Sequence, residues 1–231
     1  MKRLVLVLTC AGIALAGFSQ KDSTIKKKDR KRDVLIETNY GDMVFRLSDS
    51  TPLHRDNFLK LVKVGFYDSV LFHRVINGFM IQAGDPDSKG AAAGVPLGMG
   101  GPGYRVPAEF RTTLFHKKGT IAAARDNNPD RASSGSQFYV SQGRVYTQAG
   151  LDSLEQFRMR GRIFTPAERE AYTTVGGIPF LDQNYTVFGE MVRGFEVLDS
   201  IAAVPTSKGA DRDRPLQDVM ILRTKLIKRK K

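Results

Sequence analysis

The segment formed by residues 72–85, FHRVINGFMIQAGD, limits the possible folds of this chain more than any other. Apolar and polar residues alternate along it, which predicts β-strands, and its Asn77-Gly78 step is typical of a tight turn between two strands. With the alternation in phase across that turn, one face receives Arg74, Ile76, Met80 and Gln82. A buried charge is costly unless it is paired, so we interpret this face as a binding surface rather than as core.

Strands are also predicted on both sides of this segment, at residues 34–38, 43–47, 119–124, 137–140, 186–192 and 218–226. One helix is predicted to begin at Thr51-Pro52 and to end at Gly65, because Thr can cap a helix and Pro suits its first turn. A second is predicted over residues 195–203. Many strands with two helices favour a closed antiparallel barrel, since closure removes the exposed edges of an open sheet. The pattern alone does not separate a barrel from a sandwich.

Residues 72–85 resemble the central motif of the cyclophilin family of peptidyl-prolyl isomerases, F-H-R-x-I-x-G-F-M-x-Q-x-G-D. The resemblance extends over roughly residues 33–226 and implies a mainly β domain, a closed eight-stranded antiparallel barrel capped by two helices. It implies an enzyme that accelerates rotation about the X–Pro bonds of unfolded or exported polypeptides, without a cofactor.

Rotation about an X–Pro bond breaks no covalent bond, and its barrier of about 18–20 kcal/mol comes from amide conjugation. In the twisted transition state the prolyl nitrogen gains a localised lone pair, which a fixed cation or donor stabilises more than it stabilises either planar state. Arg74 is the candidate for that donor, because its guanidinium keeps its proton and can be held in place by an acceptor. We expect Gln82 to hold it, and the resemblance implies these same catalytic roles for both.

The resemblance also implies ten substrate-binding residues: Phe79, Met80, Gly98, Ala124, Arg125, Gln137, Tyr139, Phe180, Leu181 and Tyr185. In the family, four of these positions form an apolar proline pocket, here Phe79, Met80, Tyr139 and Leu181. Ala124-Arg125 match the segment that in the family holds the substrate backbone in extended form, and Gln137 and Gly98 match the family's S-Q-F glutamine and a glycine of the neighbouring subsite. Taken singly, each apolar residue would suit an ordinary core.

Three of these positions depart from the usual pattern, two of them in residues 180–185, FLDQNY, which align with W-L-D-G-K-H. Phe180 replaces a Trp and Tyr185 replaces a His, and Tyr139 stands where a Phe is usual. The ring of Phe180 can still cover a peptide, but it lacks the indole N–H donor. We therefore expect cyclosporin, which uses that donor in sensitive relatives, to bind weakly.

Residues 143–178 form an insertion where smaller cyclophilins have only a short loop. Its first part suggests a short amphipathic helix around Leu151 and Leu154. Thr165-Pro166-Ala167-Glu168 is a capping box, which predicts a second helix that Gly176-Gly177 ends. We expect an ordered helical hairpin.

The two ends of the chain differ from the middle. Residues 1–19 have Lys2 and Arg3 before an apolar run at residues 4–16, which predicts a signal peptide and an exported, most simply periplasmic, protein. Cys10 lies inside this run, so cleavage would leave no cysteine. Residues 20–32 are predicted to be a basic, disordered linker and residues 227–231 a basic tail. No later segment is apolar enough to span a membrane.

The formal charge of +12 belongs to the ends of the chain. Residues 1–32 carry nine Lys or Arg and two Asp, and residues 225–231 carry five Lys and Arg and no acid. Of 36 basic and 24 acidic residues, 22 of each therefore remain in residues 33–224, a net charge of zero. We expect no specific nucleic-acid binding and a monomer. A weaker alternative is that the basic ends bind polyanions or anionic lipid.

Metal binding is not expected, because the three histidines, His54, His73 and His116, have no Cys or carboxylate cluster at ligand spacing. His73 is predicted to make a structural hydrogen bond. A rival from another functional class is a proline-peptide binding module or chaperone with little turnover. The Arg74–Gln82 pair favours the enzyme, since a binder has no need of a cation at the prolyl nitrogen.

Overall fold

The computed structural model describes residues 23–159 and 161–230, so the predicted signal peptide lies outside the described residues. The strands are β1 (Arg32–Thr38), β2 (Gly41–Leu47), β3 (Arg74–Ile76), β4 (Met80–Ala83), β5 (Arg105–Val106), β6 (Thr120–Ala123), β7 (Ser133–Ser134), β8 (Phe138–Ser141), β9 (Val187–Arg193) and β10 (Ile221–Lys228). The α-helices are α1 (Pro52–Val64), α2 (Gln148–Phe157), α3 (Pro166–Thr174) and α4 (Phe195–Ala202). Short 3-10 helices occupy Asp29–Lys31, Pro86–Ser88 and Pro179–Leu181.

Eight strands form one antiparallel sheet in the order β10-β1-β2-β9-β6-β8-β4-β3, and β5 pairs separately with β7. The end strands of this sheet are β3 and β10, and the segments at their starts are hydrogen-bonded to each other. Phe72 N donates to Val219 O and Ile221 N donates to Val70 O, both at 2.8 Å. The mainly β, eight-stranded antiparallel architecture predicted from the sequence is confirmed. The closure differs slightly, because irregular backbone rather than a β3–β10 ladder joins the ends, so the barrel is partly open.

The barrel core contains the inward-facing side chains of the strands together with the apolar faces of α1 and α4. Gly65 ends α1 in a left-handed conformation, φ 76°, as the sequence predicted. Thr51 precedes the helix but makes no capping bond with its side chain. The carboxylate of Glu109 takes that role, accepting hydrogen bonds from Leu53 N at 3.2 Å and His54 N at 3.0 Å.

His54 completes this cap by linking Glu109 to the chain around β7. Its Nδ1 lies 2.7 Å from Glu109 Oε2, and its Nε2 lies 2.9 Å from Ser133 Oγ. Burial lowers the pKa of His54, so the ring is neutral near pH 7 and can bridge an acceptor and a hydroxyl. Although a serine, a histidine and a carboxylate are aligned, Ser133 is buried. We therefore assign the three residues to the packing of α1.

The insertion forms the predicted helical hairpin, with α2 packed against α3. Thr165 and Glu168 make both hydrogen bonds of the capping box. Five buried side chains give the insertion a small core of its own: Tyr146, Leu151, Met159, Phe164 and Tyr172. Phe115 and Phe180 of the barrel pack against that core. The insertion is thus joined to the barrel by apolar contacts beside the predicted site.

The predicted disordered linker is wrong for the part of it that the structure describes. Asp29–Lys31 forms a 3-10 helix and Arg32 begins β1. Arg30 pairs with Asp56 of α1 at 2.7 Å, and Asp29 pairs with Lys63 at 3.1 Å. Charge composition predicted disorder, but these ion pairs with α1 hold the segment on the barrel. At the other end, the last strand extends to Lys228, into the predicted tail.

Candidate active site

The β3–β4 hairpin places the four residues singled out from the sequence on one face. Arg74 pairs across the strands with Gln82, and Ile76 pairs with Met80. Residues opposite one another on antiparallel strands project to the same side, so the alternation stays in phase through the turn. β8 lies beside β4, which brings Tyr139 opposite Gln82 and extends the same surface.

A cavity of about 170 Å³, the small cavity, opens on this surface. Its walls contain nine of the twelve residues predicted for the site: Arg74, Phe79, Met80, Gln82, Ala124, Arg125, Tyr139, Leu181 and Tyr185. Two guanidinium groups and an amide, those of Arg74, Arg125 and Gln82, therefore share the walls of this cavity with apolar and aromatic side chains. Met80, Ala124 and Tyr139 pack in one apolar cluster, with Phe79, Leu181 and Tyr185 at its partly exposed edge.

A second cavity of about 850 Å³, the large cavity, lies next to the first. Gln82, Ala124 and Arg125 line both. Gly98 and Gln137, the two residues predicted for a neighbouring subsite, line the large one. Because the two cavities share a wall, a single extended ligand can occupy both.

Gln82 does not hold Arg74 as the sequence analysis expected. In residues 23–159 and 161–230, their side chains make no hydrogen bond with each other. Nε2 of Gln82 donates to Oε1 of Gln137 at 3.0 Å, and Nε2 of Gln137 donates to the carbonyl oxygens of Gly98 and Gly100 at 2.9 and 2.8 Å. Gln82 thus fixes the glycine-rich loop through Gln137.

Arg74 has an acidic neighbour from a distant part of the chain. Its Nε lies 3.8 Å from Oδ2 of Asp213, and its side chain is 43% exposed. An ion pair that loose and that exposed contributes little to stability. The guanidinium consequently keeps N–H donors available for a ligand in the small cavity.

The backbone of Arg125 is suited to bind an extended chain. Its side chain is held in place, with Nε donating to Asn184 O at 3.0 Å, Nη2 donating to Asn184 Oδ1 at 2.7 Å, and the guanidinium 4.7 Å from the ring centroid of Tyr185. Within the described ranges, the Arg125 N–H and C=O groups have no hydrogen-bond partner, whereas Ala124 N donates to Gln137 O and Ala124 O accepts from Ser134 N. Unpaired backbone groups beside a cavity are what a peptide ligand needs.

The wall formed by Tyr139 is fixed by a chain of buried hydrogen bonds that the sequence analysis missed. The Tyr139 hydroxyl lies 2.8 Å from Nε2 of His116, whose Nδ1 lies 2.8 Å from Oδ1 of Asp182. Oδ2 of the same carboxylate accepts from the hydroxyl of Tyr172 in α3 at 2.7 Å. Burial raises the pKa of Tyr139 well above its ordinary value, so this hydroxyl keeps its proton.

A signal for this chain of hydrogen bonds was present in the sequence. A buried tyrosine needs a partner for its hydroxyl, so Tyr139 in the place of a phenylalanine indicated a compensating polar residue nearby. The sequence did not identify that partner, because His116 is 23 residues away and Tyr172 lies in the insertion.

Phe180 lines neither of the two cavities. Its ring stacks on Phe79, with centroids 6.0 Å apart and an angle of 12° between the planes. The guanidinium of Arg158, the residue after α2, lies over the Phe180 ring at 4.0 Å from its centroid. The expected covering ring is therefore itself covered by a cation of the insertion.

Comparison with known families agrees with this geometry. The model of the family described as cyclophilin type peptidyl-prolyl cis-trans isomerase/CLD matches residues 33–226. The chain belongs to this family. The family assignment and the predicted enzyme class, a peptidyl-prolyl cis-trans isomerase, are thereby confirmed.

Two staphylococcal relatives bear the name "Putative peptidyl-prolyl cis-trans isomerase". That of Staphylococcus epidermidis is 36% identical over 198 residues, covering 84% of this chain and 91% of the relative. That of Staphylococcus aureus is 35% identical over 211 residues, covering 90% and 96%. A crystal structure of a Cryptosporidium parvum cyclophilin type isomerase superposes with a TM-score of 0.60 at 25% identity, covering 86% of this chain and 99% of that one. The same protein in the presence of the dipeptide Ala-Pro gives a TM-score of 0.59, again at 25% identity.

The histidines of this isomerase make no metal centre. In the described ranges, no group of three or more His, Cys, Asp or Glu side chains could hold a metal ion, and no helix is long and apolar enough to cross a membrane. The predicted hydrogen bond of His73 is absent, since neither ring nitrogen has a partner among the described residues. Burial lowers the pKa of His73 to about 4.

Proposed function

We propose that Arg74 stabilises the twisted prolyl amide during isomerisation. The observation that carries the proposal is that the Arg74 side chain and the apolar walls line one cavity of about 170 Å³. In the proposed arrangement the proline ring occupies this cavity with its nitrogen toward the Arg74 guanidinium. Because the lone pair of that nitrogen is localised only in the twisted state, the cation acts on the transition state and not on either planar isomer.

The small cavity is the proposed proline pocket, and the residues before proline are proposed to run along Arg125 toward the large cavity. Two features support this arrangement: the unpaired backbone groups of Arg125, and the wall that the two cavities share. Gln82 acts indirectly in this proposal. By holding Gln137, and through it the backbone at Gly98 and Gly100, it keeps the large cavity open.

Exchange between cis and trans forms of an Ala-Pro peptide, followed by NMR, tests the role of Arg74. We expect Arg74→Ala to lower kcat/KM at least 100-fold, because a lost charge-assisted interaction costs about 2.7–4 kcal/mol of transition-state stabilisation. Arg74→Lys keeps the charge but not the planar donor, so its kcat/KM should lie between those of the native protein and of Arg74→Ala. Undiminished exchange in Arg74→Ala would refute the mechanism. A normal peptide affinity in the same variant would separate catalysis from binding.

We also propose that the substrates are unfolded or exported polypeptides and that the protein acts as an exported monomer. The support for export is the sequence of residues 1–19, with two basic residues before an apolar run. Processing during expression with a secretion system tests it: mass spectrometry of the recovered protein should show an N-terminus near residue 20. An intact Met1 on all of the recovered protein would exclude a cleaved leader.

A further inference from the structure

The two basic ends of the chain meet at one place on the barrel. β1 and β10 pair antiparallel, with Arg32 opposite Lys228, so residues before β1 and after β10 leave the sheet side by side. Nη2 of Arg229 donates to the carbonyl of Arg30 at 3.1 Å, and Nε of Arg229 lies 3.3 Å from Oδ1 of Asp33. Segments almost 200 residues apart in sequence therefore form one surface.

This surface, the basic face, comprises Lys27, Lys28, Arg30, Lys31, Arg229 and Lys230. Residues 23–32 contain six Lys or Arg and one acid, and residues 225–230 contain four and none. The single acid, Asp29, is buried and paired with Lys63, so it adds little negative charge to the surface. A depression of about 630 Å³ in the face is lined by five cations and one carboxylate, that of Asp49.

Four lysines of the basic face are free to bind a partner. Lys27, Lys28, Lys31 and Lys230 are exposed, and within the described part of the chain none of them makes an ion pair. Residues 33–224 have no net charge, so the positive potential of the domain is concentrated at this one face. A concentrated field of this kind attracts an extended anionic surface more strongly than evenly spread charges do.

We infer that the basic face binds the surface of an anionic lipid bilayer. Residues 23–32 and 225–230 contain no aromatic residue, and the binding of single-stranded nucleic acid relies on aromatic rings for base stacking. Exposed lysines alone suffice for anionic headgroups, where each contributes through its charge.

Sedimentation with sucrose-loaded vesicles of phosphatidylglycerol and phosphatidylcholine tests the inference. Residues 23–230 contain all the described elements of the fold, so the chain from residue 20 onward, without the apolar run, is the protein to use. We expect binding to these vesicles in roughly 0.1 M KCl and no binding to pure phosphatidylcholine. Binding should be lost in about 1 M KCl, because the Debye length shortens as the salt concentration rises. The triple variant Lys27→Gln, Lys28→Gln, Lys31→Gln should bind on the order of 100-fold more weakly.

A matched variant removes three exposed charges elsewhere: Lys89→Gln, Arg193→Gln, Lys208→Gln. It should change the affinity less than about threefold, since contributions fall off within a Debye length of the membrane surface. Unchanged isomerase activity and circular dichroism in both variants verify folding. Equal losses in the two variants, equal binding to neutral vesicles, or no binding at all would overturn the inference. So would tighter, salt-sensitive binding to a single-stranded RNA, which would assign the face to nucleic acid.

Discussion

The hydroxyl of Tyr139 lies 2.8 Å from Nε2 of His116, and this hydrogen bond connects a wall of the small cavity to the insertion. From His116 the connection continues through Asp182 to Tyr172 of α3. Both oxygens of the Asp182 carboxylate are therefore in use, although it is buried. Low surrounding polarity strengthens such bonds and makes the loss of any one of them costly.

Removal of the Tyr172 hydroxyl tests whether the hydrogen bond between the insertion and Asp182 stabilises the fold. Tyr172→Phe leaves Asp182 Oδ2 with one donor fewer, so we expect the free energy of unfolding to fall by about 1–3 kcal/mol. Chemical denaturation measures it. Tyr146→Phe is the matched control, a buried tyrosine of the same small core whose hydroxyl makes no hydrogen bond within the described ranges. Equal effects of the two substitutions would contradict the structural role of the Tyr172–Asp182 bond.

Tyr139→Phe restores the residue usual in the family and breaks the bond to His116. Because the buried Nε2 of His116 then lacks a partner, we expect a loss of about 1–3 kcal/mol in unfolding free energy. The wall of the cavity keeps its ring, so kcat/KM for an Ala-Pro peptide should change less than about fivefold. The pair of measurements, thermal unfolding and NMR exchange, separates stability from catalysis. A large drop in kcat/KM with normal stability would assign the hydroxyl a direct role in the reaction.

Phe180→Trp supplies the indole N–H that this chain lacks. We expect weak cyclosporin binding by the native protein and at least tenfold tighter binding by the variant, since one good hydrogen bond is worth about 1.5 kcal/mol. The chain contains no tryptophan, so the new ring is also its sole indole reporter for fluorescence titration. Phe157→Trp, at a side chain that is 79% exposed, controls for effects of the reporter. Tight binding by the native protein would contradict the expectation.

His73 makes the stability of the barrel depend on pH. Its pKa is about 4 in the folded protein, against an ordinary value near 6.5 in the unfolded chain. Between these pH values the unfolded chain binds a proton at His73 that the folded protein does not bind. The contribution of His73 to the free energy of unfolding is therefore complete above about pH 6.5 and is lost as the pH falls toward about 4. The full loss from this one group is roughly 3 kcal/mol.

Unfolding curves of the native protein and of His73→Gln, measured from pH 7.5 to pH 4, test this dependence. The difference between their unfolding free energies should be constant above about pH 7 and should shrink as the pH falls, as His73 loses its contribution. His54, whose pKa burial also lowers, contributes equally to both curves and cancels. Parallel curves over the whole range would show that His73 does not titrate in this way.

The sequence by itself determined the elements and most of the site. The hairpin around Asn77-Gly78, the end of α1 at Gly65 and the capping box of α3 all follow from local rules, in which a residue's neighbours in the chain decide its conformation. The motif of residues 72–85 placed the chain in its family. Strand periodicity put Arg74, Met80 and Gln82 on one face, and the family resemblance named the other six residues that line the small cavity.

Only the tertiary structure decided which polar groups meet. Gln82 bonds Gln137 rather than Arg74, Glu109 rather than Thr51 caps α1, and Tyr139 reaches Asp182 through His116. It also brought the two basic ends together, where composition had predicted a disordered linker. Hydrogen bonds and ion pairs depend on distances of a few ångströms between atoms far apart in sequence, and no local periodicity encodes those distances.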